Sequence, residues 1–139
     1  DTDRALAELH RVLRPGGALL LQVPLLQGRT AAPVDPEFHG DDTPVMWRFG
    51  PELSDRLEAA GFRVRLLVTG ELAAAAESEL EPGAAPPWPQ PTAPEWDVDG
   101  LLAALRGRPE LSVVSGADQT ERYGFAPGYM YATWAAVRR

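Results

Sequence analysis

The chain contains no cysteine, lysine, asparagine or isoleucine. Without cysteine, disulfides, thiolate metal sites and thiol nucleophiles are excluded. Without lysine there is no Schiff-base chemistry, and all 13 basic residues are arginine. Lys, Asn and Ile share AT-rich codons, so a GC-rich coding sequence explains their joint absence better than a selected arginine function. With only His10 and His39, a multi-histidine metal site is impossible. Neither G-x-G-x-x-G nor a Walker pattern occurs, so the usual helix-start anion cradle is missing. Serines 54, 78, 112 and 115 have no nucleophile-elbow context. No apolar run approaches the roughly 20 residues of a membrane span, and no basic-then-apolar leader opens the chain. The first residue is Asp1 rather than Met, which reads as a segment of something longer.

What is present suits one ordinary domain. The 139 residues are 45% apolar, enough for a core. A net charge of −7 argues against a nucleic-acid or anionic-membrane partner, and the expectation is a cytoplasmic protein.

Residues 1–14 carry Leu6, Leu9 and Leu13 at helical spacing, with cap oxygens on Asp1, Thr2 and Asp3. Pro15 and Gly16-Gly17 end that helix. The run from Ala18 to Val23 is almost wholly apolar and suits a strand covered on both faces. Residues 25–48 show no period and form a long loop directly after it, a place where function concentrates. A second helix starts at Gly50-Pro51 with Leu53, Leu57 and Ala60 as its buried stripe, and Gly61 terminates it. The strand that follows alternates Phe62, Val64, Leu66 and Val68 against Arg63 and Arg65.

Residues 72–80 and 97–106 read as short helices, 111–115 as a small strand, and 82–94, with six prolines, as irregular. Tyr129 to Val137 is apolar or small on both faces, so it belongs inside a sheet. Helix, strand, helix, strand in this order is an α/β pattern.

Few residues carry candidate chemistry. In Glu37-Phe38-His39-Gly40-Asp41-Asp42, a histidine beside carboxylates suits a general base or a substrate clamp. A loop histidine of this kind also serves as a structural hydrogen-bonding group. In Trp47-Arg48-Phe49, an arginine between aromatics can grip an anionic or planar substrate. The competing reading makes Trp47 and Phe49 core anchors and Arg48 their solvated neighbour. His10 reads as a surface residue of the first helix. Trp88 and Trp96 pin the proline-rich stretch to the domain, or line a lid or a partner surface.

The segment Glu8-Leu9-His10-Arg11-Val12-Leu13-Arg14-Pro15-Gly16-Gly17, followed by an apolar strand ending in Pro24, resembles a motif of class I S-adenosylmethionine-dependent methyltransferases of the type 11 kind. The family's version reads E-x-x-R-V-L-K-P-G-G. Leu57-Glu58-Ala59-Ala60-Gly61-Phe62 resembles the family's L-x-x-A-G-F. Glu37-Phe38-His39-Gly40 and Trp47-Arg48-Phe49-Gly50 resemble a branch acting on small molecules. Arg122-Tyr123-Gly124-Phe125 and the closing strand resemble the family's last strand and its approach.

The resemblance implies the C-terminal half of a Rossmann-like methyltransferase sheet: helix, strand, helix, strand, an insertion at about 70–117, and a final strand running antiparallel between the other two. It implies His39 as the catalytic base or orienter, Asp41, Trp47 and Arg48 as substrate contacts, and a small-molecule or sugar-like acceptor. S-adenosylmethionine would be the cofactor, yet the family's binding motifs for it would precede Asp1. The expected partner is therefore the missing N-terminal half or another chain, and residues 1–139 alone are expected to be inactive. Two other readings stand beside this one: a non-catalytic interaction module of the same fold, pairing through an open strand edge, and half of a nucleotide-binding oxidoreductase, against which the absent dinucleotide fingerprint speaks.

Overall fold

In the computed structural model, which describes residues 1–25, 27–78, 97–114 and 131–139, the first amphipathic stripe forms α1 (Thr2–Val12). Asp1 caps it, accepting a hydrogen bond from the Arg4 backbone N–H at 3.2 Å. The other end is capped from a distance. Arg138 donates to the Leu13 carbonyl and, at 3.3 Å, to the Arg11 carbonyl, placing a cation where the helix dipole is negative.

The remaining elements are β1 (Ala18–Pro24), α2 (Leu53–Ala59), β2 (Phe62–Thr69), α3 (Gly70–Glu77), α4 (Val98–Leu105), β3 (Leu111–Val114) and β4 (Tyr131–Arg138). The described residues thus form an α/β fold with four helices and an open four-stranded mixed sheet, in the order β1-β4-β2-β3. β4 runs antiparallel to both β1 and β2, and β3 is parallel to β2. β1, β2 and β3 therefore point the same way, with β4 reversed between the first two. That interior position fits the two apolar faces of β4: Ala132, Thr133, Trp134 and Ala136 are all buried.

The register sorts the side chains into two faces. Leu21 of β1, Trp134 of β4 and Leu66 of β2 form one cross-strand row, and Leu19, Ala136 and Val64 form the next. On this face lie the buried apolar side chains of all four helices, including Leu6, Leu57, Leu72 and Leu101, in one cluster with Phe62 and Trp134. Fully burying a leucine such as Leu57 contributes about 2 kcal/mol. The opposite face carries Leu20, Ala135 and Arg65 in one row, and Gln22, Thr133 and Leu67 in another. Gln22 donates to the Thr133 hydroxyl at 3.2 Å. Among the described residues only Leu67, Val114 and Ala135 cluster there.

This arrangement corrects the expectation that β1 is covered on both faces. Among the described residues β1 is an edge strand whose residues alternate between exposed and half-buried, and Leu20 is 57% exposed. The described helices all pack against one side of the sheet, so an apolar run that suits a two-sided interior strand has no described helix on its other side. A second correction concerns His10, which is half-buried rather than a surface residue. Its ring meets Phe62 edge-on, with centroids 5.1 Å apart.

The strand-to-helix transitions follow their local chemistry, with one shift. α2 begins at Leu53, after a turn in which the Leu53 and Ser54 N–H groups bond the Gly50 and Pro51 carbonyls. Pro51 thus sits in the preceding turn and not in the first helical position. Gly61 terminates the helix at φ +100°, where the imidazole of His10 lies 2.8 Å from the place a Cβ would occupy. Thr69 ends β2 and caps α3 at once, its hydroxyl accepting from the Leu72 N–H.

Residues of the 70–117 region are part of the domain core. Leu72, Ala76, Leu101 and Leu105 are buried in the main cluster, and β3 adds a parallel strand to β2. The proline-rich stretch with Trp88 and Trp96, and Arg122 to Phe125, lie outside the described residues. No helix among the described residues is long and apolar enough to cross a membrane.

Candidate functional site

The chain leaves β1 at Pro24 and returns at Phe49, and the excursion between them builds a cavity at the carboxyl end of β1. In open α/β sheets this is the end at which ligands bind, because loops there diverge and leave a crevice. The cavity measures about 450 Å³, within the range of small-molecule sites.

The loop is anchored at its base. Leu25 is fully buried and bridges to Phe49, while Ala31 and Arg48 exchange backbone hydrogen bonds of 3.0 and 2.9 Å. The Gln27 amide donates to the Arg48 carbonyl at 3.2 Å. Gly50 donates its N–H to the Thr30 hydroxyl, and the Glu52 carboxylate accepts from the Thr30 N–H. Gly50 is required by this closeness: a Cβ there would meet the Arg29 backbone at 2.7 Å. Residues with no hydrophobic period are therefore held in place by backbone and amide bonding.

Within the excursion, residues 37–45 form a small hairpin. Val45 donates to the Glu37 carbonyl at 2.9 Å, His39 to the Thr43 carbonyl at 2.8 Å, and Phe38 bridges to Pro44. Asp42 turns the chain with φ +62°, a left-handed conformation that aspartate tolerates. Alternation along an extended strand then sends Glu37 and His39 to the cavity, while Phe38 stays outside it, 61% exposed.

Three of the four residues singled out in the sequence converge here. His39, Trp47 and Arg48 all line the cavity, with Val23, Pro24, Pro44, Val45, Met46 and Phe49 supplying apolar wall. His39 is exposed at the mouth and Trp47 is 48% exposed. Phe49 packs against the main core, so of the two aromatics flanking Arg48 only this one is an anchor.

Arg48 is neither solvated nor open to an anion. Its guanidinium takes both carboxylate oxygens of Glu37, Nε to Oε2 at 3.2 Å and the second nitrogen to Oε1. The Arg48 side chain is only 16% exposed. A two-point pair of this kind fixes the hairpin against the start of the α2 segment. Glu37 is thus a site residue whose role sequence reasoning missed. The available signal was period-two spacing with His39 together with charge opposite to Arg48.

The structure does not bring Asp41 to the cavity. It occupies the hairpin turn, where its carboxylate accepts from the Thr43 N–H at 3.1 Å. That hydrogen bond, with the Thr43 side chain and the nearby His39, holds its carboxyl below the usual carboxylate range. Asp41 shapes the turn that carries His39.

Among the described residues, no group of three or more His, Asp or Glu side chains is placed to hold a metal ion. At the cavity, Val23-Pro24 offers a proline in place of a backbone donor. Comparison with known protein families, with curated proteins and with solved structures gives no match.

Proposed function

We propose that residues 1–139 are the acceptor-binding, C-terminal portion of an S-adenosylmethionine-dependent methyltransferase of Rossmann-like fold that modifies a small molecule. The observation that carries this reading is the cavity at the carboxyl end of β1, where one loop gathers His39, Trp47 and Arg48 against an apolar wall. The strand order supports it as well, since the resemblance implies a last strand reversed between two parallel ones.

On this reading the chain's own residues bind and orient the acceptor. Trp47 offers a flat apolar surface, the Arg48–Glu37 pair holds the loop closed, and His39 takes the proton that the acceptor gives up. S-adenosylmethionine supplies a methyl group when it is bound, and residues outside these 139 would hold it. Binding energy for orientation is then divided between two halves of a domain, which is why the isolated chain is expected to be inactive.

His39→Ala in the gene's complete product is expected to lower methyl transfer about a hundredfold or more, the low end for a general base, with little change in melting temperature. A sharp fall in melting temperature with turnover unchanged would make His39 a structural residue and overturn the assignment.

A second reading has its own support. β1 pairs with β4 on one side only among the described strands, and its Ala18–Pro24 sequence carries no charge to guard an edge. A non-catalytic module that adds a partner's strand to β1 would use that feature. Methyl transfer by the complete product separates the two.

A further inference from the structure

Three features of the cavity, taken together, restrict the chemistry of what it holds. The first is the state of Arg48, the arginine among its described lining residues. The Arg48 guanidinium already engages both oxygens of the Glu37 carboxylate, and this pair lies in a wall of Val23, Val45 and Phe49. An anionic ligand would have to compete with the Glu37 carboxylate for the Arg48 guanidinium and give up this two-point pair, whose arginine is mostly buried. A carboxylate or phosphate ligand is disfavoured.

The second feature is the rim. Met46 is 67% exposed and Trp47 48% exposed, and both line the cavity. Large apolar side chains left in water beside a concave site mark contact with an apolar ligand surface. A polyhydroxylated sugar would find few partners for its hydroxyls among the described lining residues, whose polar side-chain groups are Glu37, His39, Arg48 and the Trp47 indole N–H, with Glu37 and Arg48 bonded to each other.

The third is His39. Its backbone is fixed by the hairpin, its ring lines the cavity at the mouth, and the ring makes no hydrogen bond to a described residue. Among the described lining residues, the His39 ring is the proton acceptor left to meet a ligand, beside the Trp47 indole donor.

From these we infer that the cavity takes a neutral, flat aromatic molecule bearing one hydroxyl group, with the ring system against Trp47 and Val23 and the hydroxyl on the His39 imidazole. This rests on the acceptor-site reading and narrows it to a class of ligand. It concerns binding alone, so it can be tested without methyl transfer.

The test is a calorimetric titration of the 139-residue chain at neutral pH with 2-naphthol and, in parallel, 2-naphthoate, which has the same rings and a negative charge. Saturable one-to-one binding of 2-naphthol is expected, with 2-naphthoate at least tenfold weaker. His39→Ala, at an exposed position that leaves the fold intact, should weaken 2-naphthol binding about tenfold, the upper worth of one ordinary hydrogen bond. Glu37→Gln removes the negative charge beside Arg48, so 2-naphthoate should gain relative to 2-naphthol.

Backbone amide shifts on adding 2-naphthol should fall in residues 23–49. No binding of 2-naphthol, equal or tighter binding of 2-naphthoate, an unaffected His39→Ala variant, or shifts centred elsewhere would each overturn the inference. None of these bears on whether the complete product binds S-adenosylmethionine, so the two readings fail separately.

Discussion

Replacing Glu110 with glutamine tests how the polar network behind the sheet supports the core. Trp134, fully buried in β4, donates its indole N–H to the Ser54 hydroxyl at 3.0 Å, and Ser54 in turn bonds the Glu110 carboxyl. Glu110 accepts from Arg108 Nε at 2.5 Å, and Arg108 reaches Asp55 of α2 at 2.7 Å. The chain of bonds runs from the centre of the core to the surface. The side chains of Arg108 and Glu110 are 18% and 10% exposed, whereas Asp55 is 67% exposed.

Breaking a fully buried pair costs about 3–5 kcal/mol and an exposed one about 0–1. Glutamine keeps an acceptor oxygen for Arg108, and Asp55 still compensates its charge, so Glu110→Gln should cost about 1–2 kcal/mol at neutral pH.

The pH dependence has a definite sign. Burial would raise the Glu110 pKa, but the hydrogen bonds from Arg108, the backbone and Ser54 outweigh it and hold the carboxyl below its usual range. For Arg108, burial pulls downward and the bond to Glu110 wins, raising it. Because the folded-state pKa of Glu110 is depressed, its contribution is fully present above the unfolded-state value. It is lost as pH falls through the folded-state value. Urea unfolding of wild type and Glu110→Gln from neutral to acid should therefore show two curves that converge as the pH falls through the depressed folded-state value of Glu110. Equal stabilities at neutral pH, or a gap that persists unchanged into acid, would refute the network as described.

Two further substitutions probe the fold. Gly61→Ala forces a Cβ into the His10 ring at φ +100° and should lower stability by about 1–3 kcal/mol, seen as a lower denaturant midpoint with unchanged slope. Trp134→Phe leaves a void and removes the donor to Ser54, so a loss of about 2–3 kcal/mol is expected by the same measurement.

Much of the fold was legible because local chemistry and tertiary packing agree in it. The α1 stripe, the Arg/apolar alternation of β2, Gly61 as terminator, and Asp97 and Gly107 bounding α4 all speak within a few residues of where they act. The run Ala18 to Val23 misled because an apolar strand carries no mark of which of its faces a helix will cover. His10 misled because its partner, Phe62, is distant in sequence.

At the site, His39, Trp47 and Arg48 stood out by residue type and do share the cavity. Asp41 stood out too, but its hairpin position turns it to the Thr43 backbone. The Glu37–Arg48 pair was hidden for the converse reason, since its partners stand eleven positions apart in the loop and only the folded hairpin brings them together.

The most direct test of the account is a calorimetric titration with S-adenosylmethionine of the gene's complete product beside residues 1–139 alone. The account predicts saturable micromolar binding by the complete product and no measurable heat of binding for the 139-residue chain. Saturable binding by residues 1–139, or none by the complete product, would contradict it.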